Sequence, residues 1–228
     1  MTEPQTLTRG RLRTPRAAAV AGILFSGLLT LAFLLFLSAV PRDSMEHGTW
    51  LTTGLERVVL AINLIPFAGV AFLWFIGVVR DRLAEAEDRL FATVFLGSGL
   101  LFLAMMFVAT AVFGAIVLVH VAHPEALRDS PAFALARAFA YTLVNVYAIR
   151  MAGIFMLITS TIALRTAFIA RWMAAPGFAM GLFLLFASQW FAWSFLVFPL
   201  WALLISVYLL VTSLAQDAEG RRTATSVP

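Results

Sequence analysis

Six apolar stretches separated by short polar segments constrain this chain more than any other feature. They run Ala17–Val40, Leu55–Val79, Leu90–Val121, Phe133–Leu164, Trp172–Ser188 and Trp193–Ser213. Nearly all reach the ~20 residues that a helix needs to cross a hydrocarbon core of ~30 Å. Inside such a core no water satisfies backbone N–H and C=O groups, so each crossing segment must satisfy them within itself, as a helix. Composition agrees: 62% of residues are hydrophobic and 12% charged, with mean hydropathy +0.95, outside the range of soluble domains. The 228 residues leave no room for a soluble domain beside the spans. The expected fold is all-α: a six-helix transmembrane bundle over residues 17–213. A polar N-terminal tail (1–16) and a C-terminal tail (214–228) are expected to be mobile.

Orientation follows from the basic residues, which are sixteen arginines and no lysine. Arg9, Arg11, Arg13, Arg16, Arg80, Arg82, Arg89, Arg165, Arg171, Arg221 and Arg222 fall on one side of the six-span arrangement. Arg42, Arg57, Arg128 and Arg137 fall on the other, and Arg150 lies inside the fourth span. By the positive-inside rule the richer side is cytoplasmic, and with it both termini. This placement, rather than the net charge of +4, governs the reading, and it excludes a nucleic-acid partner. The first stretch is too long for a signal-peptide core and Leu37-Ser38-Ala39 is a poor cleavage context, so it reads as a retained helix. The expected location is the bacterial cytoplasmic membrane, with the lipid bilayer as the chain's first partner. The absence of cysteine removes disulfides, thiolate metal sites and cysteine nucleophiles.

Local signals refine the spans. Ser130 and Pro131 read as the cap and first residue of helix four. Arg80–Arg89 reads as a short solvated helix, with Glu85 and Arg89 four apart, or as a plain charged linker. Ser188–Ser194 must contain the last turn although no glycine or proline marks it, because an unbroken helix from Trp172 to Ser213 would be about twice the bilayer thickness. Trp50, Trp172, Trp190 and Trp193 fall at expected interfaces, where amphipathic rings anchor helices. Small residues recur at four-residue spacing at Ala18, Gly22 and Ser26, at Thr110 and Gly114, and at Gly177 and Gly181; such faces let helix backbones approach closely in lipid. Pro66–Phe75 resembles Pro176–Phe186 with one residue inserted, but in a chain with 21 phenylalanines that match supports no repeat.

Polar residues within the spans are the candidates for function. Arg150 lies fifteen positions from Arg165, hence about 22 Å outward, and a charge at that depth costs at least ~2.5 kcal/mol unless paired or hydrated. Tyr147 and Gly153 are three positions either side of it. Glu56 and Asn63 share a face of span two, and Asn63, about 25 Å out from Arg80, is close to Arg150 in depth. Pro66 frees the Ile62 carbonyl at that level, and Pro199 likewise frees that of Phe195. Arg150, Tyr147, Asn63 and Glu56 therefore form a candidate intramembrane polar pocket, Arg150 either binding an anionic group there or bracing helices. Asn145 lies about 140° around the helix from Arg150 and is left out. On the outer side His120 and His123 are three apart, with His47 in another loop, a spacing compatible with metal binding or pH sensing but common by chance. No metal and no cofactor is assigned. No carboxylate lies deep in a span, no histidine pair suits a haem, and no glycine-rich phosphate cradle occurs in a cytoplasmic loop, so an enzyme is not expected.

Ala21–Phe25, Val79–Leu83 and Phe91–Leu100 resemble the corresponding stretches of uncharacterised six-span membrane proteins of actinobacteria. That resemblance implies a six-helix inner-membrane protein and carries no activity. Two function classes remain. One is a small channel or transport-like protein for an anionic or lipid-like solute, as a homo-oligomer or alone. The other is a non-catalytic accessory subunit partnered with another membrane protein. The first is placed ahead because Arg150, Asn63 and Pro66 converge in depth.

Overall fold

The computed structural model describes residues 14–41, 48–83, 89–124, 130–166, 171–191 and 193–225. Every regular element among them is helical. The helices are α1 (Thr14–Ala39), the single turn α2 (Trp50–Thr53), α3 (Leu55–Leu83), α4 (Arg89–Ala122), α5 (Pro131–Thr142), α6 (Ile149–Thr166), α7 (Ala174–Phe186) and α8 (Val197–Thr225). A π-helical segment, Leu143–Ala148, joins α5 to α6, so the two cover Pro131–Arg165 as one long apolar rod. Five helical stretches are long and apolar enough to cross a membrane: Ala17–Ala39, Leu55–Arg80, Leu90–Ala122, Pro131–Arg165 and Ser194–Ala215. They are those of an integral membrane protein.

The fifth stretch differs from the expected span. Helix α7 has 13 residues and rises about 20 Å, short of a ~30 Å core. After it the chain turns through Ala187, two 3₁₀ turns (Ser188–Trp190 and Ser194–Leu196) and into α8. The turn is built by rings: Trp193 stacks on Phe183 at 5.6 Å, and Phe191 packs against both. Its backbone closes through Trp190 N–H to Ala187 C=O and Ser194 N–H to Phe191 C=O. Pro199 sits in the first turn of α8, where an N–H has no helical partner in any case. It starts the helix and does not free a carbonyl in mid-span, as its position in an unbroken span would have required. At its other end α8 runs on to Thr225, past the expected end at Ser213, because Ala215–Glu219 are mostly good helix formers.

The helices alternate in direction. The end of α1 meets the start of α3 at Ala39 and Gly54, Ile76 of α3 meets Gly99 of α4, and Phe95 of α4 stacks on Phe155 of α6. Gly153 and Gly181 bring α6 and α7 together, and α8 returns along α1 from Phe33–Phe195 to Gly22–Ser206. Thr14 and Thr225 consequently lie at the same end of the bundle; the opposite end is called distal below. In lipid the tails are as apolar as the side chains, so close packing and shape must hold such helices together. Two of the three small-residue faces do this within the chain, while a Cβ on Gly114 would meet nothing within 4 Å. A Cβ on Gly153 would lie 2.9 Å from the Gly181 carbonyl oxygen, Gly177 lies against Ser160, and Gly22 lies against Ser206.

Aromatic rings fill the axis. Phe72 of α3 stacks on Phe25 of α1 at 4.4 Å and meets Phe102, Phe155 and Phe198 at 5.7, 5.4 and 5.7 Å. These rings come from five helices, and Phe72 and Phe155 are wholly buried. Each such pair adds about 0.5–1.5 kcal/mol beyond area burial. A second, distal cluster holds Trp50, Leu51, Val58, Ile116 and Phe133. Trp50 is thus a core residue, not an interfacial anchor: its ring meets Phe113 at 5.9 Å and is fully buried. Short α2 tucks it inward, whereas Trp172, Trp190 and Trp193 remain exposed.

Candidate functional site

The short α7–α8 hairpin leaves a gap in the distal half. Its tip, at Ser194 and Phe195, is level with Met106 of α4 and Ala148 at the end of the π segment. Beyond that level α1, α4 and α5 continue without it. Between them lies a cavity of about 200 Å³. Leu37 and Val40 of α1 line one wall, Ala109, Thr110 and Phe113 of α4 another, and Arg137, Ala140 and Tyr141 of α5 the third. Phe33, Met106, Val144 and Phe195 close its inner end. The hydroxyl of Thr110 donates to the Met106 carbonyl at 2.7 Å, and the Asn145 amide donates to the Tyr141 carbonyl at 3.0 Å. Both polar side chains are therefore engaged on their own helices, and the surface they leave is mainly apolar.

The charge in this cavity is Arg137. Ser130 caps α5 by accepting from the Phe133 N–H at 3.2 Å, and Pro131 opens the helix, as the sequence leads one to expect. That start sets the helical phase which turns Arg137 inward, where it is 4% exposed. Its Nη2 donates to the Pro41 carbonyl at 3.2 Å, and its guanidinium lies 5.8 Å from the centre of the Phe133 ring, one turn earlier. Arg57 of α3 acts similarly, donating from Nη1 to the Ser38 carbonyl at 2.9 Å. Arg57 thus serves a carbonyl in the last turn of α1, where helical partners run out, and Arg137 one just past it, both near the end where the helix dipole favours positive charge.

The π segment completes the site. Ile149 N–H reaches back to the Val144 carbonyl, five residues earlier, which widens the turn and changes the phase between α5 and α6. Val144 and Asn145 of this segment line the cavity. Insertions of this type are frequent at functional sites.

The polar residues singled out from the sequence are placed elsewhere. Arg150 is half-buried and folds back on its own helix, Nη1 donating to the Val146 carbonyl at 2.8 Å. Asn63 is exposed and donates to the Val59 carbonyl at 2.8 Å, likewise within its helix. Tyr147 and Glu56 are exposed. Equal depth on two rods does not by itself pair their side chains: Arg150 and Asn63 each bond a carbonyl one turn back on their own rod. Gly153, three positions from Arg150, is the point of close approach of α7. His120 is buried, its Nδ1 without a hydrogen-bond partner, while His123, three residues on, is exposed. No group of three metal-ligating side chains occurs among the described residues. His47, Glu85 and the carboxylates Asp43 and Glu46 lie outside them.

The sequence counts Arg137 with the outer-side arginines, although it falls inside the fourth apolar stretch. Its face is set by the phase of α5, which buries Arg137 with Phe133 and Ala140, and no local sequence signal marks that face in an apolar helix. Comparison with family models, with curated proteins and with solved structures finds no match, so the chain's function has to be argued from its own residues.

Proposed function

We propose that this chain is a multi-pass protein of the bacterial cytoplasmic membrane, with both termini cytoplasmic, that binds an anionic, lipid-like solute in its distal cavity as part of a transport-like, non-enzymatic role. The observation that carries this reading is a mainly apolar cavity that ends inside the bundle, with the buried guanidinium of Arg137 in its wall. An apolar chamber accepts the tail of an amphiphile, and a guanidinium at its distal mouth suits a phosphate or carboxylate head. Arg137 already bonds the Pro41 carbonyl and lies over the Phe133 ring, so an anionic head there would add to contacts that the guanidinium holds. Passage through an axial pore in a single chain is disfavoured, because rings from five helices occupy that axis.

Native mass spectrometry in mild detergent with added dodecyl phosphate tests the reading. The wild type is expected to retain the amphiphile, and Arg150→Met to retain it equally. Arg137→Gln is expected to lose it. Leu37→Trp, an exposed position at the mouth, is expected to lose it with an unchanged melting temperature. Retention by both Arg137→Gln and Leu37→Trp, or no binding by the wild type, overturns the proposal. The other reading, an accessory subunit, draws on Asn63, an amide that faces outward from the bundle at membrane depth and could bond to a partner helix. Stoichiometric recovery with a second membrane protein through α3, lost in Asn63→Leu, would favour it.

A further inference from the structure

Toward the inner end of the distal cavity two polar side chains, Thr110 and Asn145, carry a definite balance of donors and acceptors. Thr110 is 8% exposed, and its hydroxyl gives its one hydrogen to the Met106 carbonyl at 2.7 Å, which leaves the oxygen as an acceptor alone. Asn145, next to Val144 in the π segment, donates from Nδ2 to the Tyr141 carbonyl at 3.0 Å. Only the nitrogen of a carboxamide can give that bond, so the orientation of the group follows from it, and it leaves Oδ1 and the second N–H. Two acceptor oxygens and one N–H thus stand among apolar walls that include Phe33, Leu37, Ala109 and Phe195. Arg137 takes no part. It holds the Pro41 carbonyl and the Phe133 ring, and it lies eight residues, about 12 Å, from Asn145 along the rod.

We propose that Thr110 and Asn145 form a recognition pair for a neutral hydrogen-bond donor, a hydroxyl or an amide N–H, carried on the chain of the lipid-like solute. The proposal rests on the reading that this cavity holds such a solute, and not on the guanidinium. Chemistry selects the group. A hydroxyl donates to one of the two oxygens and accepts from the second Nδ2–H, and a secondary amide does the same with its N–H and C=O. An ether brings no hydrogen, and a carboxylate or phosphate would face two acceptor oxygens with a single N–H to bond. The membrane sharpens the choice. Lipid tails are as apolar as the cavity walls, so a plain chain gains little by entering. A hydroxyl or N–H partway along a chain has no partner among those tails, and the pair supplies one. Volume bounds the occupant: about 200 Å³, at the ~30 Å³ that a water-sized group occupies, takes roughly six or seven heavy atoms.

A medium-chain alkanol with a diazirine on its chain, photolysed in the reconstituted full-length protein, tests the pair. The competitors are hexan-1-ol and pentyl methyl ether, which have the same number of heavy atoms, compared at equal concentration in the bilayer. In the wild type the probe is expected to label the peptides bearing Thr110 and Asn145, and the alcohol to compete on the order of fivefold better than the ether. Thr110→Val, which keeps the shape of the side chain, and Asn145→Leu are each expected to remove most of that preference, whereas Arg137→Gln is expected to keep it. Either polar variant carries the test if the other does not assemble. Equal competition by alcohol and ether in the wild type, or a preference unchanged in the assembled polar variants, overturns the pair while leaving the cavity a binding site. Absence of competed labelling, with dodecyl phosphate still retained in native mass spectrometry, overturns the pair and leaves the binding role standing. Absence of both overturns the two together.

Discussion

At the scale of single residues, the arginines show how one side chain takes different roles according to the carbonyls in its reach. Arg57 and Arg137 reach carbonyls at and just past the end of α1, Arg57 also the Thr53 carbonyl four residues before it, whereas Arg150 bonds a carbonyl in its own preceding turn. Depth counting from the sequence finds Arg150 because it lies far from any loop. It passes over Arg137 because no local signal tells a bundle-facing charge from a loop charge near a span's end. The glycines divide in the same way. Gly153 faces a backbone carbonyl that cannot move aside, while a Cβ at Gly27 would meet nothing within 4 Å. Gly153→Val is therefore expected to destabilise the purified protein by about 1–3 kcal/mol, the usual cost of overpacking. Gly27→Ala should be neutral or stabilise by up to about 0.5–1 kcal/mol through helix propensity. Melting temperatures of both variants in one detergent check the contrast; equal shifts would contradict it.

At the scale of elements, the hairpin of α7 and α8 shapes the site more than any single helix. Sequence length alone favours two full spans over Trp172–Ser213, and the need for a turn near Ser188–Ser194 was legible. The shortness of α7 was not, because the turn is made by Phe183, Phe191 and Trp193 packing on one another, a contact without a local sequence signature. Pro199 is consistent with a helix that starts late. Because it occupies the first turn of α8, Pro199→Ala should cost less than about 1 kcal/mol. Leu204→Pro, one turn and more inside the same helix, should cost about 3 kcal/mol or more by removing a helical hydrogen bond. Thermal unfolding by circular dichroism distinguishes the two; a large loss for Pro199→Ala would mean that α8 begins elsewhere. The π segment was equally hidden, since Leu143–Ala148 has the composition of any apolar helix.

At the scale of the whole molecule, alternating helices put both described chain ends at one end of the bundle, and in the orientation proposed above from the eleven-to-four division of arginines that end is the cytoplasmic one. The chain has no cysteine, so single cysteines report cleanly. Ser130→Cys is expected to react with an impermeant maleimide in intact spheroplasts, and Thr225→Cys only after permeabilisation; the reverse pattern would invert the distal cavity to the cytoplasmic side. What the sequence determined by itself is the class and the rods: apolar runs of this length must be helical in lipid, because the backbone has no other partner there. It also carried the start of α5 at Ser130–Pro131, since a cap is a local hydrogen bond. Only tertiary structure decided which side of each rod faces inward. In water an apolar stripe reports burial, but a helix in lipid is apolar on both sides, so periodicity loses that information. Arg137 in its cavity, the ring-filled axis and the Phe33 and Phe195 rings at the cavity's inner end all depend on that choice of face.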